Sequence, residues 1–270
     1  MPVRDALKEI VAKKKERIAA AKLAVTEETL KERAAALPAC RPFLEALRKP
    51  RQICLIAEIK KQSPSAGVLR TDLDPVALAG QYAQAGAQAI SVITEEDFFS
   101  GDPAFLSQVR QAVNVPLLRK DFIVDPYQIV ESRVLGADAI LLIADLLSKD
   151  VLTDFIQRAD SVGLRCLVEV HDEKQLKKVL GLKPANEKKA IPFALGINNR
   201  DLHSLEVDTK TTERLFPLVP KDRLVVVESG LKSGQDILFL KVLGVSAVLV
   251  GEAIVRSADV QTAIQDLMGW

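Results

Sequence analysis

The 270-residue sequence has few cysteines and few histidines. Its three cysteines, Cys40, Cys54 and Cys166, are odd in number and far apart, so we expect neither a disulfide framework nor a paired metal-ligand spacing. The two histidines, His171 and His203, also lack a metal-binding spacing. We therefore predict no metal site, and unpaired small apolar cysteines favour a reducing, cytoplasmic location.

The sequence also lacks long hydrophobic runs and an excess of charge. No stretch approaches the roughly 20 apolar residues of a membrane span, and the N-terminal segment mixes acids with bases, unlike a secretory signal. Lys plus Arg number 37 against 36 for Asp plus Glu, which gives a net charge of +1. This balance favours neither nucleic acid nor membrane as a partner, but a small anionic substrate needs only a few local cations.

The sequence predicts a helical N-terminal region over residues 1–48. It is rich in Ala, Leu, Lys and Glu, which are strong helix formers. Thr26 followed by Glu27 and Glu28 is typical of an N-cap with acids in the first turn, so a second helix is predicted there. Pro38 and Pro42 then interrupt the pattern. We interpret the region as a cover for a larger core that could also border a site.

From residue 53 onward, short apolar runs alternate with amphipathic stretches. Three of these stretches open with Asp-Pro, an N-cap followed by proline at the first helical position. The runs predicted as strands are ICLIAEIK, AISVIT, PLLRKDF, AILLIA, RCLVEV, FALGIN, LVVVES and AVLVG.

Eight strand–helix units in about 215 residues have the count and size of a (β/α)8 TIM barrel. An open doubly wound sheet is the alternative, but the turn after the first run, KQSPSAG, has no GxGxxG. We predict a single α/β domain over residues 1–270, with a helical extension over 1–48 and the barrel over 49–270.

Polar side chains stand at the C-terminal ends of the predicted strands, where active sites of this fold lie. Glu58 and Lys60 are two residues apart and so share one face with Ile56. A rim of buried ion pairs is the structural alternative, but desolvation offsets most of what such pairs would gain. A catalytic cluster is therefore favoured. Its candidates are Glu58, Lys60, Lys120, Glu169, Asn198 and Glu228, with Ser229 next in the chain.

Glycines follow the last two strands, in ESGLKSGQD and VGEAIVRS. Loops at these positions form the frequent phosphate site of this fold. Backbone N–H groups of Gly230, Gly251 and Glu252 could donate to phosphate oxygens, although tight turns alone would also explain the glycines. No GxSxG motif supports a serine nucleophile. A Schiff base on Lys60 or Lys120 is not excluded, but no cofactor signature accompanies it.

Seven segments resemble, in order from about residue 50 to residue 256, the strand-end motifs of the indole-3-glycerol phosphate synthase family. They are AEIKKQSPSAG, LLRKDFIVDPYQI, ADAILLIA, LVEVH, GINNRDL, VVESG and LVGEAIVR. Several motifs in register are specific, whereas a barrel alone says nothing of function.

The resemblance implies a lyase of tryptophan biosynthesis that uses no cofactor. Its substrate would be 1-(2-carboxyphenylamino)-1-deoxyribulose 5-phosphate, which closes to indole-3-glycerol phosphate with loss of carbon dioxide and water. We thus expect a small phosphorylated molecule as the partner of a monomer or weak homo-oligomer.

The resemblance also implies roles for individual residues. Lys120 would be the general acid toward the carbonyl and the leaving hydroxyl, and Glu169 the general base. Lys60 would steer the substrate carboxylate and is a second candidate for the acid, so the division of acid roles between the two lysines stays open. A lysine that acts as an acid near neutral pH benefits from a modestly lowered pKa, and burial with a second lysine nearby, as for Lys60 and Lys120 at one mouth, favours such a shift. Glu58 and Asn198 would orient these groups, and Glu228 and Ser229 would line the site. Residues implied in substrate binding are Ser63, Pro64, Phe122, Arg200, Gly230, Gly251 and Glu252.

One position departs from the family pattern. Many members have serine after the last strand's glycine, whereas this chain has Glu252. A carboxylate cannot donate to phosphate, so only the backbone N–H carries over, and Arg256 is placed to pair with Glu252 at i, i+4.

Two other functions stay open at this point. An isomerase acting on the anthranilate precursor would need a cysteine–aspartate pair, yet Cys54 and Cys166 lie at strand starts. A catalytically silent barrel used for binding predicts eroded strand-end charges, which are all present.

Overall fold

The computed structural model describes residues 6–182 and 193–270; the predictions for residues 1–5 and 183–192 lie outside them. The strands are β1 (Cys54–Ile59), β2 (Gln62–Ser63), β3 (Gly67–Val68), β4 (Ala89–Ile93), β5 (Leu117–Lys120), β6 (Ala139–Ile143), β7 (Arg165–Val170), β8 (Phe193–Asn198), β9 (Val225–Glu228) and β10 (Ala247–Val250).

The helices cover the outside and the N-terminal region. They are α1 (Ala6–Ala24), α2 (Glu27–Ala35), α3 (Phe43–Ala46), α4 (Pro75–Gln84), α5 (Pro103–Ala112), α6 (Tyr127–Leu135), α7 (Lys149–Ser161), α8 (Glu173–Leu180), α9 (Lys210–Leu215), α10 (Gly234–Leu243), α11 (Glu252–Val255) and α12 (Val260–Met268), with a short 3-10 helix over Phe216–Leu218. No helix in the described ranges is both long and apolar enough to traverse a bilayer.

Eight of the strands form a closed parallel barrel in the order β1-β10-β9-β8-β7-β6-β5-β4. The predicted (β/α)8 barrel is therefore confirmed, and the open doubly wound sheet is wrong. Each predicted apolar run contains one barrel strand. The hairpin of β2 with β3 lies in the loop after β1 and was not predicted. Its strands are only two residues long and carry no alternating apolar pattern.

Alternate residues of each strand belong to two separate cores. Inward side chains such as Ile56, Leu167 and Val226 form one buried cluster inside the barrel. Their strand neighbours, such as Leu55 and Val168, pack in a second cluster with the surrounding helices. Because side chains two apart share a face, the inward set continues at the strand ends into the charged residues. Burial of both faces explains why these strands are continuous apolar runs.

Local sequence sets most helix starts. The Thr26 hydroxyl accepts a hydrogen bond from the Thr29 N–H as the N-cap of α2, and Asp74 and Asp102 cap α4 and α5 with proline at the first helical position. The third Asp-Pro differs slightly, because α6 begins at Tyr127. The Tyr127 N–H, at the start of this helix, nevertheless donates to the Asp125 carboxylate.

Helix α1 is tied to the loops that follow β4 and β5 by ion pairs. Lys14 is 3% exposed, and its Nζ lies 2.7 Å from a Glu96 oxygen and 2.9 Å from an Asp121 oxygen. Arg17 pairs with Asp97 along the same helix. The Asp121 carboxylate also accepts from the Phe122 N–H, next to Lys120. The extension therefore borders the end of the barrel where the charged residues gather.

We expect Lys14→Met to destabilise the protein by about 1–3 kcal/mol, because the fully buried Asp121 keeps only Arg119 as a cation and the partly buried Glu96 loses Lys14. Urea unfolding followed by circular dichroism measures the loss. Lys13→Met is the matched control on the same helix, because its pair with Glu16 is exposed to solvent and its loss should leave the unfolding midpoint nearly unchanged. Equal midpoints for the two variants would contradict the structural role of Lys14.

Candidate active site

A cavity of about 1030 Å³, including space open to solvent, lies at the C-terminal ends of the barrel strands, here called the mouth. Every site residue named from the sequence lines it. They are Glu58, Lys60, Ser63, Pro64, Lys120, Phe122, Glu169, Asn198, Arg200, Glu228, Ser229, Gly230, Gly251 and Glu252.

The centre of the mouth holds a lysine between two carboxylates. Lys120 Nζ lies 3.3 Å from Glu169 Oε2 and 3.2 Å from Glu228 Oε2. A second pair stands on β1, where Lys60 Nζ is 2.9 Å from Glu58 Oε2. The glutamates are almost fully buried, whereas both lysine side chains are about one-sixth exposed. The ammonium groups are thus the parts of the cluster that a ligand can reach.

The expectation of a lowered pKa is wrong for Lys120. Burial acts to lower the pKa of Lys120, but the charges of Glu228, Glu169 and Glu58 outweigh burial and raise it above the ordinary value. The second lysine, Lys60, has its own carboxylate partner in Glu58. Lys120 therefore enters any reaction as an ammonium ion.

The two carboxylates beside Lys120 have opposite pKa shifts. Burial acts to raise the pKa of Glu169, but the Lys120 charge and the contact with His171 more than reverse this, and the pKa falls well below its usual range. Burial raises the pKa of Glu228 to about 8, since the Lys120 charge only partly offsets burial and the repulsion from Glu169. Neither carboxylate oxygen of Glu228 has a hydrogen bond of good geometry among the described residues. Of the two, Glu169 is the anion at neutral pH, and Glu228 is the carboxyl group that takes up a proton more readily.

This asymmetry makes a prediction about stability and pH. The pKa of Glu228 is about 8 in the folded chain and about 4.3 in an unfolded one. Folding therefore favours the protonated form, so the contribution of Glu228 is fully present below about pH 4 and is lost as the pH rises to about 8. We expect Glu228→Gln, which cannot ionise, to gain stability relative to wild type over this range.

Urea unfolding at pH 5, 7 and 9 measures that difference. Glu252→Gln is the control for removal of a carboxylate from the same mouth, because its side chain is 43% exposed rather than buried. A difference between Glu228→Gln and wild type that does not change with pH would show that Glu228 is ionised in the folded protein.

Two glycines make room for the buried glutamates. A Cβ on Gly196 would stand 2.5 Å from Glu228 Oε1, and one on Gly251 would stand 2.6 Å from Glu58 Oε2. Real Cβ atoms do not approach oxygen so closely, so both positions need glycine for close contact. At position 251 the close contact with Glu58 therefore requires glycine independently of turn geometry.

The loop after β9 has an unusual backbone. Ser229 has a φ of 66° and Gly230 a φ of 79°, so two consecutive residues are left-handed. For serine this conformation is uncommon. The buried Asn199 holds it in place: its Nδ2 donates to the Ser229 carbonyl at 3.1 Å, and its Oδ1 accepts from the Thr212 N–H and hydroxyl. Asn199 was missed from the sequence, although it directly follows Asn198.

Glu252 points toward the rim rather than into the cavity centre. Its side chain is 43% exposed, and its Oε1 lies 3.4 Å from Arg256 Nε. The predicted i, i+4 pair is confirmed. The Glu252 carboxylate is thus paired with Arg256, and this pairing does not involve the backbone N–H of Glu252.

Arg200 and the aromatic residues occupy the outer part of the mouth. Arg200 donates to Ser65 Oγ at 3.0 Å and to the Leu205 carbonyl at 2.8 Å. The rings of Phe122 and Phe99 are 6.1 Å apart and tilted. Phe99 was missed from the sequence because it lies in a loop outside any quoted motif. Together with Leu202 it gives the cavity an apolar wall.

His171 was also missed. It follows β7, two residues after Glu169, and its Nε2 lies 3.1 Å from Glu169 Oε1. The absence of metal spacing had set it aside. The available indication was parity, because residues two apart at a strand end share a face.

Cysteines are distant from this chemistry. Cys54 opens β1 and Cys166 is the second residue of β7, so both lie at the opposite ends of their strands from the mouth. No cysteine is among the described residues that line the cavity. The cysteine–aspartate pair of the isomerase alternative therefore has no counterpart here.

Solved structures with related architecture support the fold alone. A 3-hexulose-6-phosphate synthase from Salmonella typhimurium is 14% identical, with a TM-score of 0.59 over 80% of this chain and 97% of that one. A structure described as native KDPGal is 16% identical, with a TM-score of 0.53 over 78% and 90% of the two chains.

Sequence comparison is far more specific. The family model for indole-3-glycerol phosphate synthase matches residues 7–267. A protein of that name from Geobacillus thermodenitrificans is 48% identical over 86% of this chain and 88% of its own length. Another from Acetivibrio thermocellus is 45% identical over 96% and 98%. Taken with the barrel, these matches show that the chain belongs to the indole-3-glycerol phosphate synthase family.

Proposed function

We propose that the mouth converts 1-(2-carboxyphenylamino)-1-deoxyribulose 5-phosphate into indole-3-glycerol phosphate through Lys120, Lys60 and Glu169. As a family member, the chain is a carboxy-lyase of tryptophan biosynthesis. The observation that carries the assignment of roles is the position of Lys120 between Glu169 and Glu228, with the second ammonium group of Lys60 lining the same cavity. No step needs a cofactor, because the reaction forms one carbon–carbon bond, breaks another and one carbon–oxygen bond, and transfers protons without any net oxidation or reduction.

Ring closure is the first step. The aromatic carbon that bears the carboxylate attacks the ketone carbon, and the ketone oxygen takes a proton from Lys120. A raised pKa keeps Lys120 charged until the oxyanion develops. That oxyanion is a stronger base than the lysine amine, so the transfer is favourable even from a reluctant acid. The Lys120 ammonium group stabilises the negative charge that develops on the ketone oxygen, in a site where water is largely excluded.

Loss of carbon dioxide follows. The bond between ring and carboxylate breaks, its electrons restore the aromatic ring, and the carboxylate leaves as carbon dioxide. Lys60 attracts the carboxylate before this step, and the contact with Glu58 at 2.9 Å fixes the ammonium position. The carbonyl of Glu58 accepts from the buried Tyr82 hydroxyl, which anchors the strand end.

Dehydration completes the reaction. Lys120 regains a proton from solvent and gives it to the hydroxyl formed from the ketone, which leaves as water, and Glu169 removes the proton from the adjacent carbon. Two protons are given and one is taken back, so one is consumed overall, which matches the conversion of a carboxylate into carbon dioxide. The lowered pKa of Glu169 keeps it anionic for this role at neutral pH.

The rest of the mouth binds and orients the substrate. The backbone N–H groups of Gly230, Gly251 and Glu252, with the Ser63 hydroxyl, would hold the phosphate, since all four line one cavity. Phe122 and Pro64 would enclose the anthranilate ring, and Arg200 would stand at its outer side. Asn198 and Ser229 would contact the substrate hydroxyls. The carboxylate of Glu252 stays on Arg256.

Indole fluorescence after mixing purified protein with the substrate tests the function. We expect one indole-3-glycerol phosphate for each substrate consumed, without added metal or cofactor. Heat-unfolded protein is the blank. A folded protein that consumes no substrate under these conditions would contradict the proposed function.

A further inference from the structure

His171 and Gln175 form a short chain behind Glu169 that the mechanism above does not use. The His171 N–H donates to Gln175 Oε1 at 2.9 Å, and His171 Nδ1 lies 3.2 Å from the same oxygen. On the other side of the ring, Nε2 lies 3.1 Å from Glu169 Oε1. The histidine side chain is only 8% exposed, so water does not separate these groups.

These contacts fix where the ring hydrogens are. A backbone N–H can only donate, so the Gln175 atom that it meets is the oxygen. Nδ1 must then carry hydrogen in order to be attracted to that same oxygen. In a neutral imidazole Nε2 is therefore a bare acceptor. A bare Nε2 would then lie 3.1 Å from an anionic carboxylate oxygen with no attraction between them, whereas a proton on Nε2 makes this contact an ion pair. The Nε2–H is not aligned for a hydrogen bond to that oxygen.

We propose that His171 is a positioning residue whose imidazolium form carries this proton and holds Glu169 as an anion with Oε2 turned toward Lys120. The inference rests on the proposed function for the role of Glu169, but not for the protonation state. Each Glu169 oxygen then has its own cation: His171 contacts Oε1, and Lys120 contacts Oε2 at 3.3 Å. Rotation of the carboxylate would break both contacts.

The charged groups around the ring agree with this protonation state. Glu169 on β7 and Glu228 on β9 both favour the cation, and Gln175 on α8 accepts from it. Lys120 on β5 opposes it, but its ammonium group lies on the other oxygen of Glu169. Burial acts to lower the pKa of His171, and the contacts with Glu169 and Gln175 outweigh burial and raise it.

Nitrogen NMR of the imidazole rings tests the proposal without reference to activity. The chain has only two histidines, so His203→Gln leaves the signals of His171 alone. We expect both ring nitrogens of His171 to be protonated at pH 7, with a titration midpoint above the ordinary value of about 6.5. In Glu169→Gln the midpoint should fall by about one pH unit or more, because the carboxylate charge is gone.

A bare Nε2 at pH 7, or a midpoint that Glu169→Gln leaves unchanged, would overturn the proposal. Should Glu169→Gln not fold, the wild-type spectrum still decides between a protonated and a bare Nε2.

Kinetics of His171→Gln give a second readout. We expect kcat to fall roughly tenfold to a hundredfold, as when a group that orients a reacting ligand is removed, with KM within about threefold because no substrate contact is lost. Wild-type kcat should fall at high pH with the midpoint that NMR gives for His171, and this limb should be absent in His171→Gln.

His203→Gln is the matched control, since His203 is half exposed beside Asp145, and its pH profile should be that of wild type. A His171→Gln enzyme with wild-type kcat and pH profile would contradict the role. Absence of turnover in the wild type would instead refute the proposed function, and the NMR result would stand by itself.

Discussion

Lys120→Met is expected to lower turnover roughly 10²- to 10⁴-fold, the contribution typical of a general acid. The ketone oxygen would have no proton donor when the aromatic carbon attacks, and water at a largely buried site cannot replace it. Methionine fills nearly the same volume, so the barrel should still fold. Glu169 and Glu228 would lose their shared cation, and protonation of Glu228 relieves part of that cost. Steady-state indole fluorescence measures the loss.

Lys120→Arg separates charge from proton transfer. It keeps a cation between the two carboxylates, but guanidinium does not release its proton at any relevant pH. We expect Lys120→Arg to unfold at a urea concentration closer to wild type than Lys120→Met does, and to be similarly inactive. If the arginine variant turned over near the wild-type rate, Lys120 would supply charge alone and its role as an acid would be wrong.

Glu169→Gln is expected to have the second large effect, again roughly 10²- to 10⁴-fold on kcat. Glutamine keeps the size and the hydrogen-bonding ability of the side chain but cannot accept the proton that leaves during dehydration. The same fluorescence assay at pH 7 gives the rate. Circular dichroism and the urea midpoint establish that the variant is folded.

Glu228→Gln is the matched control for this variant. Both carboxylates contact Lys120 at nearly the same distance, but the pKa of Glu228 is raised to about 8, so glutamine resembles its neutral form at pH 7. We expect a much smaller loss than for Glu169→Gln. Equal losses from the two variants would contradict the assignment of Glu169 as the base.

Much of the fold was predictable because its causes are local. The continuous apolar run around Ile56 specifies a strand buried on both faces, and Asp102 followed by proline specifies a helix start. Closure into a barrel followed from the count of units. The hairpin of β2 with β3 was not predictable, because two residues per strand leave no periodic pattern.

The mouth was predictable for a geometric reason: strand ends and parity place Glu58, Lys120 and Glu169 at one edge. The pKa shifts at the mouth were not predictable, since a lysine's pKa depends on its distances to carboxylates on other strands. Burial and a second lysine favoured a lowered pKa for Lys120, but its pKa is raised, because the carboxylates of Glu228 and Glu169 approach it from β9 and β7. Asn199, Phe99 and His171 were missed because each acts through a partner that is remote in sequence or was not recognised as its contact.

The most direct test of Lys120 as the acid for ring closure uses substrate labelled in the carboxylate carbon. In the proposed order, carbon dioxide cannot leave until Lys120 has protonated the ketone oxygen and the new bond has formed. We expect wild-type protein to release one labelled carbon dioxide per indole-3-glycerol phosphate, and folded Lys120→Met to release neither. Labelled carbon dioxide released by Lys120→Met without indole would show that Lys120 acts only after ring closure, and would contradict the central assignment.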